Sequence, residues 1–97
     1  MRIRIDAANE VVTERMQRLL RFSLASVADE IDEAAVAIVY IHDALGMPLI
    51  RCCIELRLLS EAPSIAVEDV QSTEHLAVSR ALDKALRTLR RRLHHAA

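Results

Sequence analysis

Basic residues recur every three or four positions near the end of the sequence. Arg80, Lys84, Arg87 and Arg91 follow one another at intervals of four, three and four residues, and Arg90 lies beside them. Because an α-helix turns about 100° per residue, this spacing places the four cations on one side of a helix, over about 16 Å of its length. Such a row can bind the phosphates of a polyanion, and nucleic-acid backbones are common ligands of this kind.

The alternative interpretation is a solvated outer face of an amphipathic helix, because cations near a helix C-terminus also suit the helix dipole. The sign of the charges favours an anionic partner. Asp83 is the only acidic residue after Glu74, whereas solvated helices usually mix acids and bases in i,i+4 pairs. From Thr73 onward there are six Lys or Arg and two acidic residues, and the preceding part has seven and twelve. The net charge of −1 therefore hides a basic C-terminal segment.

The other reactive residue types form no catalytic or metal-binding pattern. The four histidines have no thiol or hydroxyl partner at a motif spacing. The two cysteines, Cys52 and Cys53, are adjacent, so a strand would point them to opposite faces and no CxxC spacing exists. The single glycine, Gly46, cannot form a phosphate-binding loop. We therefore expect a protein that is not an enzyme and that holds no metal or cofactor.

The composition supports one globular domain, residues 1–97, which is 53% hydrophobic and 28% charged. Phe22 and Tyr40 are its only aromatic residues, so the core must be aliphatic. A base-stacking surface is not expected, because such surfaces usually expose several rings. No apolar run approaches the roughly 20 residues of a membrane span, and the N-terminus does not resemble a signal peptide. We expect a cytoplasmic protein with reduced cysteines.

Hydrophobic periodicity predicts an α+β domain with the element order β-α-β-β-β-α. Thr13 and Thr73 are the predicted helix N-caps, and the acidic residues between Asp29 and Glu33 are predicted to form a solvated connector. The predicted boundaries are strand 1–6, helix 13–31, strand 35–42, hairpin connection 43–48, strand 49–59, strand 64–70 and helix 73–95.

These elements predict a four-stranded sheet with two helices packed on one face. The first strand should pair in parallel with a neighbour, because a helix intervenes, and the last three strands should be antiparallel. The opposite face of the sheet is then open to solvent. It would expose Arg2, Arg4, Arg51, Glu55 and Arg57.

Short motifs in both helices, together with this element order, resemble one known family along essentially the whole chain. The matching residues are Val12-Thr13 at the start of the first helix and Ala77-Val78, Asp83-Lys84, Arg87 and Leu89 in the last. The sequence thereby resembles the ribosome hibernation promoting factor family, also called the ribosome-associated inhibitor or sigma-54 modulation family. Because the chain ends at Ala97, it resembles the short members, which lack the dimerising domain of long members.

The resemblance implies a stress factor that binds the small ribosomal subunit and its 16S rRNA. Members of this family occupy the place of messenger and transfer RNA and so silence translation in non-growing cells. For this sequence, the resemblance implies RNA contacts by Lys84, Arg87 and Arg91. The charge pattern alone adds Arg80 and Arg90. On the first helix, Arg18 and Arg21 fall outside the apolar stripe and are predicted to join the RNA-binding surface.

The sequence also departs from the family at two places. His75 occupies a position where the family commonly has tyrosine, and the segment 23–30 lacks the lysines that the family carries in the second half of the first helix. A second interpretation therefore stays open, in which the same fold binds a protein and has lost ribosome binding. A homodimer through a sheet edge, or through the open-face residues Cys53 and Leu59, is one such possibility.

Overall fold

The computed structural model describes the backbone of residues 1–96 and the side chains of residues 1–94. The element order is β-α-β-β-β-α, as the periodicity predicts, with a 3₁₀ helix added after the first α-helix. The elements are β1 (Arg2–Asp6), α1 (Glu10–Leu24), the 3₁₀ helix (Ala25–Glu30), β2 (Ile31–His42), β3 (Pro48–Leu58), β4 (Ile65–Gln71) and α2 (Glu74–Ala96).

The four strands form one mixed sheet in the order β1-β2-β3-β4. β1 pairs in parallel with β2, and the two later pairings are antiparallel, which confirms the predicted topology. The hairpin between β2 and β3 turns at Gly46, whose φ of 81° lies in the left-handed region that favours glycine. The Asp43 carboxylate accepts hydrogen bonds from the backbone N–H groups of Leu45 and Met47, at 2.8 and 2.9 Å, and stabilises this turn.

Both helices pack on one face of the sheet and enclose a single aliphatic core. Along β3 the residues at alternate positions are buried, from Ile50 to Leu58, whereas Arg51, Glu55 and Arg57 are exposed on the open face. β1 and β4 run in the same direction, and each is followed by a helix. α1 and α2 therefore start at the same end of the sheet and run alongside each other. None of the helices in the described part of the chain is long and apolar enough to cross a membrane.

The first helix differs from the prediction at both ends. Asn9, and not Thr13, is its N-cap, because the Asn9 side chain accepts a hydrogen bond from the Val12 N–H at 2.8 Å. Thr13 lies in the first turn, where its hydroxyl donates to the Asn9 carbonyl at 3.0 Å. The α-helix ends at Leu24 and tightens into the 3₁₀ helix, whose Val27 is buried. The prediction of one helix as far as Ile31 was therefore wrong.

The acidic segment is only half the solvated connector that the sequence predicted: Asp29 and Glu30 are exposed at the end of the 3₁₀ helix, but the two later acids are not. β2 begins at Ile31, so Asp32 and Glu33 belong to a strand and not to a loop. The Arg57 guanidinium of β3 lies 2.9 Å from the Asp32 carboxylate and 3.0 Å from that of Glu33. Glu33 also pairs with Arg2 and Arg4 of β1, at 3.5 and 3.6 Å. These carboxylates link three neighbouring strands across the open face.

Candidate nucleic-acid interface

The basic row lies on α2, whose N-terminus is fixed by Thr73 as predicted. The Thr73 hydroxyl accepts a hydrogen bond from the Leu76 N–H at 3.3 Å, and Glu74 lies in the first turn, where a negative charge suits the helix dipole. One side of the helix is buried against β3 and β4. The buried residues on that side are Ala77, Val78, Ala81, Leu82, Ala85 and Leu89.

The five basic residues that the sequence singled out on α2 are all exposed. Arg90 and Arg91 form no ion pair with any residue that the structure describes. Arg80 also forms no ion pair with a described residue, although its positive charge helps to lower the pKa of Asp69 on β4. These three guanidinium groups are therefore available for an external anion.

Lys84 differs from the other members of the row because it is held against the sheet. Its ammonium group donates to the Glu68 carbonyl at 2.9 Å and lies 3.3 Å from the Asp69 carboxylate. The pKa of Asp69 lies below its ordinary value, chiefly because Gln71 donates a hydrogen bond to the carboxylate and also because Lys84 does so. Burial of the carboxyl opposes this shift. Lys84 thus joins α2 to the edge strand β4. Less of its charge is available to an external anion than the charge of Arg80, Arg90 or Arg91.

Arg87 also has a partner within the protein, but this contact is weaker than the contacts of Lys84. Its guanidinium lies 3.0 Å from the Asp83 carboxylate one helical turn earlier, and both side chains are more exposed than buried. Exposed i,i+4 pairs of this type contribute only about 0.3–0.5 kcal/mol. A phosphate can therefore replace Asp83 at little cost. Arg92, which the sequence placed loosely beside the row, donates to the Pro63 carbonyl and anchors the loop between β3 and β4.

Arg18 and Arg21 lie on the exposed side of α1, together with Arg15. Neither Arg18 nor Arg21 forms an ion pair with a described residue. Because α1 and α2 lie side by side on one face of the sheet and contact each other, these arginines share the helical side of the molecule with the α2 row. The structure thus brings both predicted groups to one side of the molecule.

The open face of the sheet holds a concavity of about 480 Å³, lined by Arg4, Asp6, Cys53, Glu55 and the small side chains between them. Burial raises the pKa of both cysteine thiols. It is the main cause of the raised pKa of Cys53, and it raises the pKa of Cys52 to about 12. Neither thiol is therefore an activated nucleophile at neutral pH. The described side chains contain no group of three or more His, Cys, Asp or Glu residues able to hold a metal ion.

Comparison with known proteins identifies similar folds. No protein-family model matches the sequence, and no curated protein matches it. A ribosomal subunit interface protein from Coxiella burnetii has a TM-score of 0.71 at 13% identity, with 97% of this chain and 99% of that chain covered. The N-terminal domain of Thermus thermophilus Protein Y has a TM-score of 0.61 at 20% identity, with 94% and 98% covered. The chain shares the fold of both.

Two features of the helical side were not found from the sequence. The Lys84–Asp69 contact depends on how α2 sits against β4, and local patterns carry no signal for that placement. The exposure of Phe22 was also missed, although its position outside the apolar stripe of α1 was a usable signal. Tyr40, the other aromatic residue, donates its hydroxyl hydrogen to the Glu74 carboxylate at 2.6 Å.

Proposed function

We propose that this chain is a single-domain, cytoplasmic, non-enzymatic factor that binds the small ribosomal subunit through its 16S rRNA and inhibits translation. The observation that carries the proposal is the set of exposed arginines on α2, of which Arg80, Arg90 and Arg91 have no ion pair within the described structure. The shared fold with a ribosomal subunit interface protein supports it. The hibernation-factor motifs in α2 support it as well.

The proposed mechanism uses charge and shape without chemical catalysis. Arginines that neutralise RNA phosphates release condensed counterions, and this release drives binding at moderate salt. The Arg guanidinium also contacts a phosphate through two parallel hydrogen bonds, so it fixes orientation as well as affinity. A domain of this size, bound where messenger or transfer RNA must lie, inhibits translation by excluding them.

The test is co-sedimentation with small ribosomal subunits at low and high salt. We expect association at low salt that weakens as salt rises, and we expect Arg87→Glu with Arg91→Glu to abolish it. The matched control compares Arg91→Glu alone with Arg51→Glu, which reverses one exposed cation of the open face that has no ion pair in the described structure. Unchanged sedimentation of the α2 variant, or equal loss in the control, would show that α2 is not the specific contact.

Self-association through a sheet edge is a second candidate function, because the two edges differ. At β4, Lys84 of α2 donates to the Glu68 carbonyl and so covers part of this edge. β1 forms the other edge of the sheet. An uncovered edge strand is a template for pairing with another strand. The difference favours β1 over β4 as the site of a homodimer.

The residues of β1 fit antiparallel pairing with a second copy. When two β1 strands pair symmetrically about Arg4, Arg2 of each copy lies opposite Asp6 of the other, the half-buried Ile3 lies opposite Ile5, and the two Arg4 residues face each other as the one like-charge pair. Shifting the register by two residues in the direction of Met1 is less favourable, because it loses both Arg2–Asp6 pairs and places Arg2 opposite Arg4 twice. The five-residue strand is short, so we expect a weak dimer.

A charge swap tests this dimer by light scattering over a range of protein concentrations. Arg2→Asp places two acidic residues opposite each other and is expected to weaken dimerisation. Combining Arg2→Asp with Asp6→Arg restores opposite charges and is expected to restore the dimer. A monomer at all concentrations, or a failure of the combined variant to recover, would contradict pairing through β1.

A further inference from the structure

Phe22 is an aromatic residue that the fold leaves in solvent. Its exposure is 85%, in a chain that has only one other aromatic residue. The neighbouring core positions of α1 are filled by Leu20 and Leu24, both fully buried. A ring that could contribute to a small core instead lies on the outer side of a helix, so packing does not account for it.

The surroundings of Phe22 on α1 are cationic. Arg18 and Arg15 precede it by four and seven residues and so lie on the same side of the helix, and Arg21 is adjacent. Arg18 and Arg21 have no ion pair with a described residue. The nearest acidic residue before Phe22 on this helix is Glu14, about 12 Å away along the axis. An exposed ring flanked by unpaired guanidinium groups suits a ligand that combines an aromatic surface with phosphates.

We infer that the outer side of α1 binds an unpaired nucleotide of RNA, whose base stacks on the Phe22 ring while Arg18 and Arg21 contact the flanking phosphates. This inference rests on the proposed ribosome-associated function and names the class of RNA that α1 contacts. In a duplex, the faces of the bases are already stacked on one another, so the ring selects a single-stranded segment. Stacking accepts any base, because every base has an aromatic face.

The inference changes the expectation drawn from composition. A scarcity of rings argued against a base-stacking surface, but one ring within an arginine cluster is sufficient for one stacked base. The stacked nucleotide is therefore expected to be a single contact within a larger binding surface dominated by charge.

The first experiment measures binding of a short, single-stranded oligoadenylate and of small ribosomal subunits to substituted proteins. Phe22→Ala is expected to weaken both by about tenfold, in line with one lost stacking contact. Phe22→Leu, which keeps an apolar side chain, is expected to weaken both as much, and Phe22→Tyr to bind like the original. Leu45→Ala is the matched control, because Leu45 is 88% exposed at the hairpin tip on the β2–β3 connection.

The second experiment places a fluorescent probe in the contact. Phe22→Trp creates the only tryptophan of the chain, and a base stacked on it is expected to quench its fluorescence. Oligoadenylate should quench more strongly than a duplex RNA of equal length. Equal quenching by the duplex, or none by either RNA, overturns the inference.

The outcomes separate this inference from the proposed function. If Phe22→Ala and the original protein bind subunits equally, α1 does not stack a base, although the ribosome association stands. If Phe22→Leu binds as well as the original, the contact is apolar, which indicates a protein partner for α1 and overturns the inference. If the original protein fails to bind subunits at all, the proposed function itself is wrong.

Discussion

At the scale of single residues, the basic residues of α2 differ in whether their charge is already paired with groups of the protein itself. Lys84 has a backbone carbonyl and the Asp69 carboxylate as partners, and the Asp69 side chain is only 10% exposed. Arg91 is exposed and has no ion pair with the described residues. The position of a basic residue on a helical wheel therefore does not show whether its charge is free to bind a ligand.

Lys84→Ala is predicted to reduce stability more than it reduces RNA binding. Removing the ammonium leaves the Glu68 carbonyl without this donor and leaves Asp69 with only its hydrogen bond from Gln71, at a cost of about 1 kcal/mol. Arg91→Ala should show the opposite pattern, with stability nearly unchanged and subunit binding weakened. Urea unfolding and co-sedimentation of the two variants measure both quantities. If both substitutions changed stability and subunit binding by the same amounts, the distinction between a structural Lys84 and an RNA-binding Arg91 would be wrong.

Tyr40 is predicted to ionise above its ordinary pKa. The hydrogen bond that its hydroxyl donates to Glu74 is the main cause, and burial and the negative charge of Glu74 add to it. Because Tyr40 is the only tyrosine and the chain has no tryptophan, its absorbance near 295 nm reports this titration directly. Glu74→Gln removes the charge and should lower the pKa toward 10.

The hydrogen bond between Tyr40 and Glu74 also makes the stability of the fold depend on pH in a defined direction. A pKa that is raised on folding contributes stability that is fully present below the unfolded value and is lost as pH rises through the folded value. Tyr40→Phe should therefore cost stability at neutral pH, and the difference should shrink above about pH 10. A difference that grows with pH would mean that the phenolate is the better-stabilised form.

At the scale of elements, periodicity located every strand and both α-helices but misplaced boundaries where side chains cap the backbone. The alternation along β3 was read correctly because one face is apolar and the other charged. The start of β2 was missed because Asp32 and Glu33 look like loop residues unless Arg57 of the neighbouring strand is known to pair with them. Ion pairs between strands depend on register, which a local pattern does not contain.

The N-terminus of α1 offers a direct comparison between the observed cap and the predicted one. Asn9→Ala removes the side-chain oxygen that accepts the Val12 N–H and is predicted to cost about 1 kcal/mol. Thr13→Ala removes only a hydroxyl that donates to the Asn9 carbonyl, so a smaller loss is expected. Chemical denaturation of both variants tests this order. A larger loss for Thr13→Ala would mean that the helix begins at Thr13.

At the scale of the whole molecule, two helices that follow strands of the same direction carry their exposed arginines on one side of the sheet. The open face has a different character, because several of its arginines pair with Glu33 or Asp32. The net charge of −1 therefore conceals one side with several free cations and one side on which three of the four arginines are paired. The sequence predicted both groups of cations, and the fold places Arg18 and Arg21 of α1 on the same side of the sheet as the exposed arginines of α2.

This asymmetry predicts a specific salt dependence for subunit binding. If Arg80, Arg87, Arg90 and Arg91 of α2 and Arg18 and Arg21 of α1 each contact a phosphate, the logarithm of the binding constant should fall with the logarithm of salt concentration at a slope of about −4 to −5. Replacing one of these arginines by alanine should make the slope less steep by about 0.7–0.9, because one fewer counterion is released.

Arg51→Ala on the open face is the control for the salt slope, because Arg51 is also exposed and without an ion pair in the described structure but lies on the other side of the sheet. It should leave both affinity and slope unchanged. A slope that depends on Arg51 as much as on Arg91 would mean that RNA is attracted without a preferred face. A slope near zero would mean that binding does not use phosphate contacts, and the helical side would then have to meet an uncharged partner.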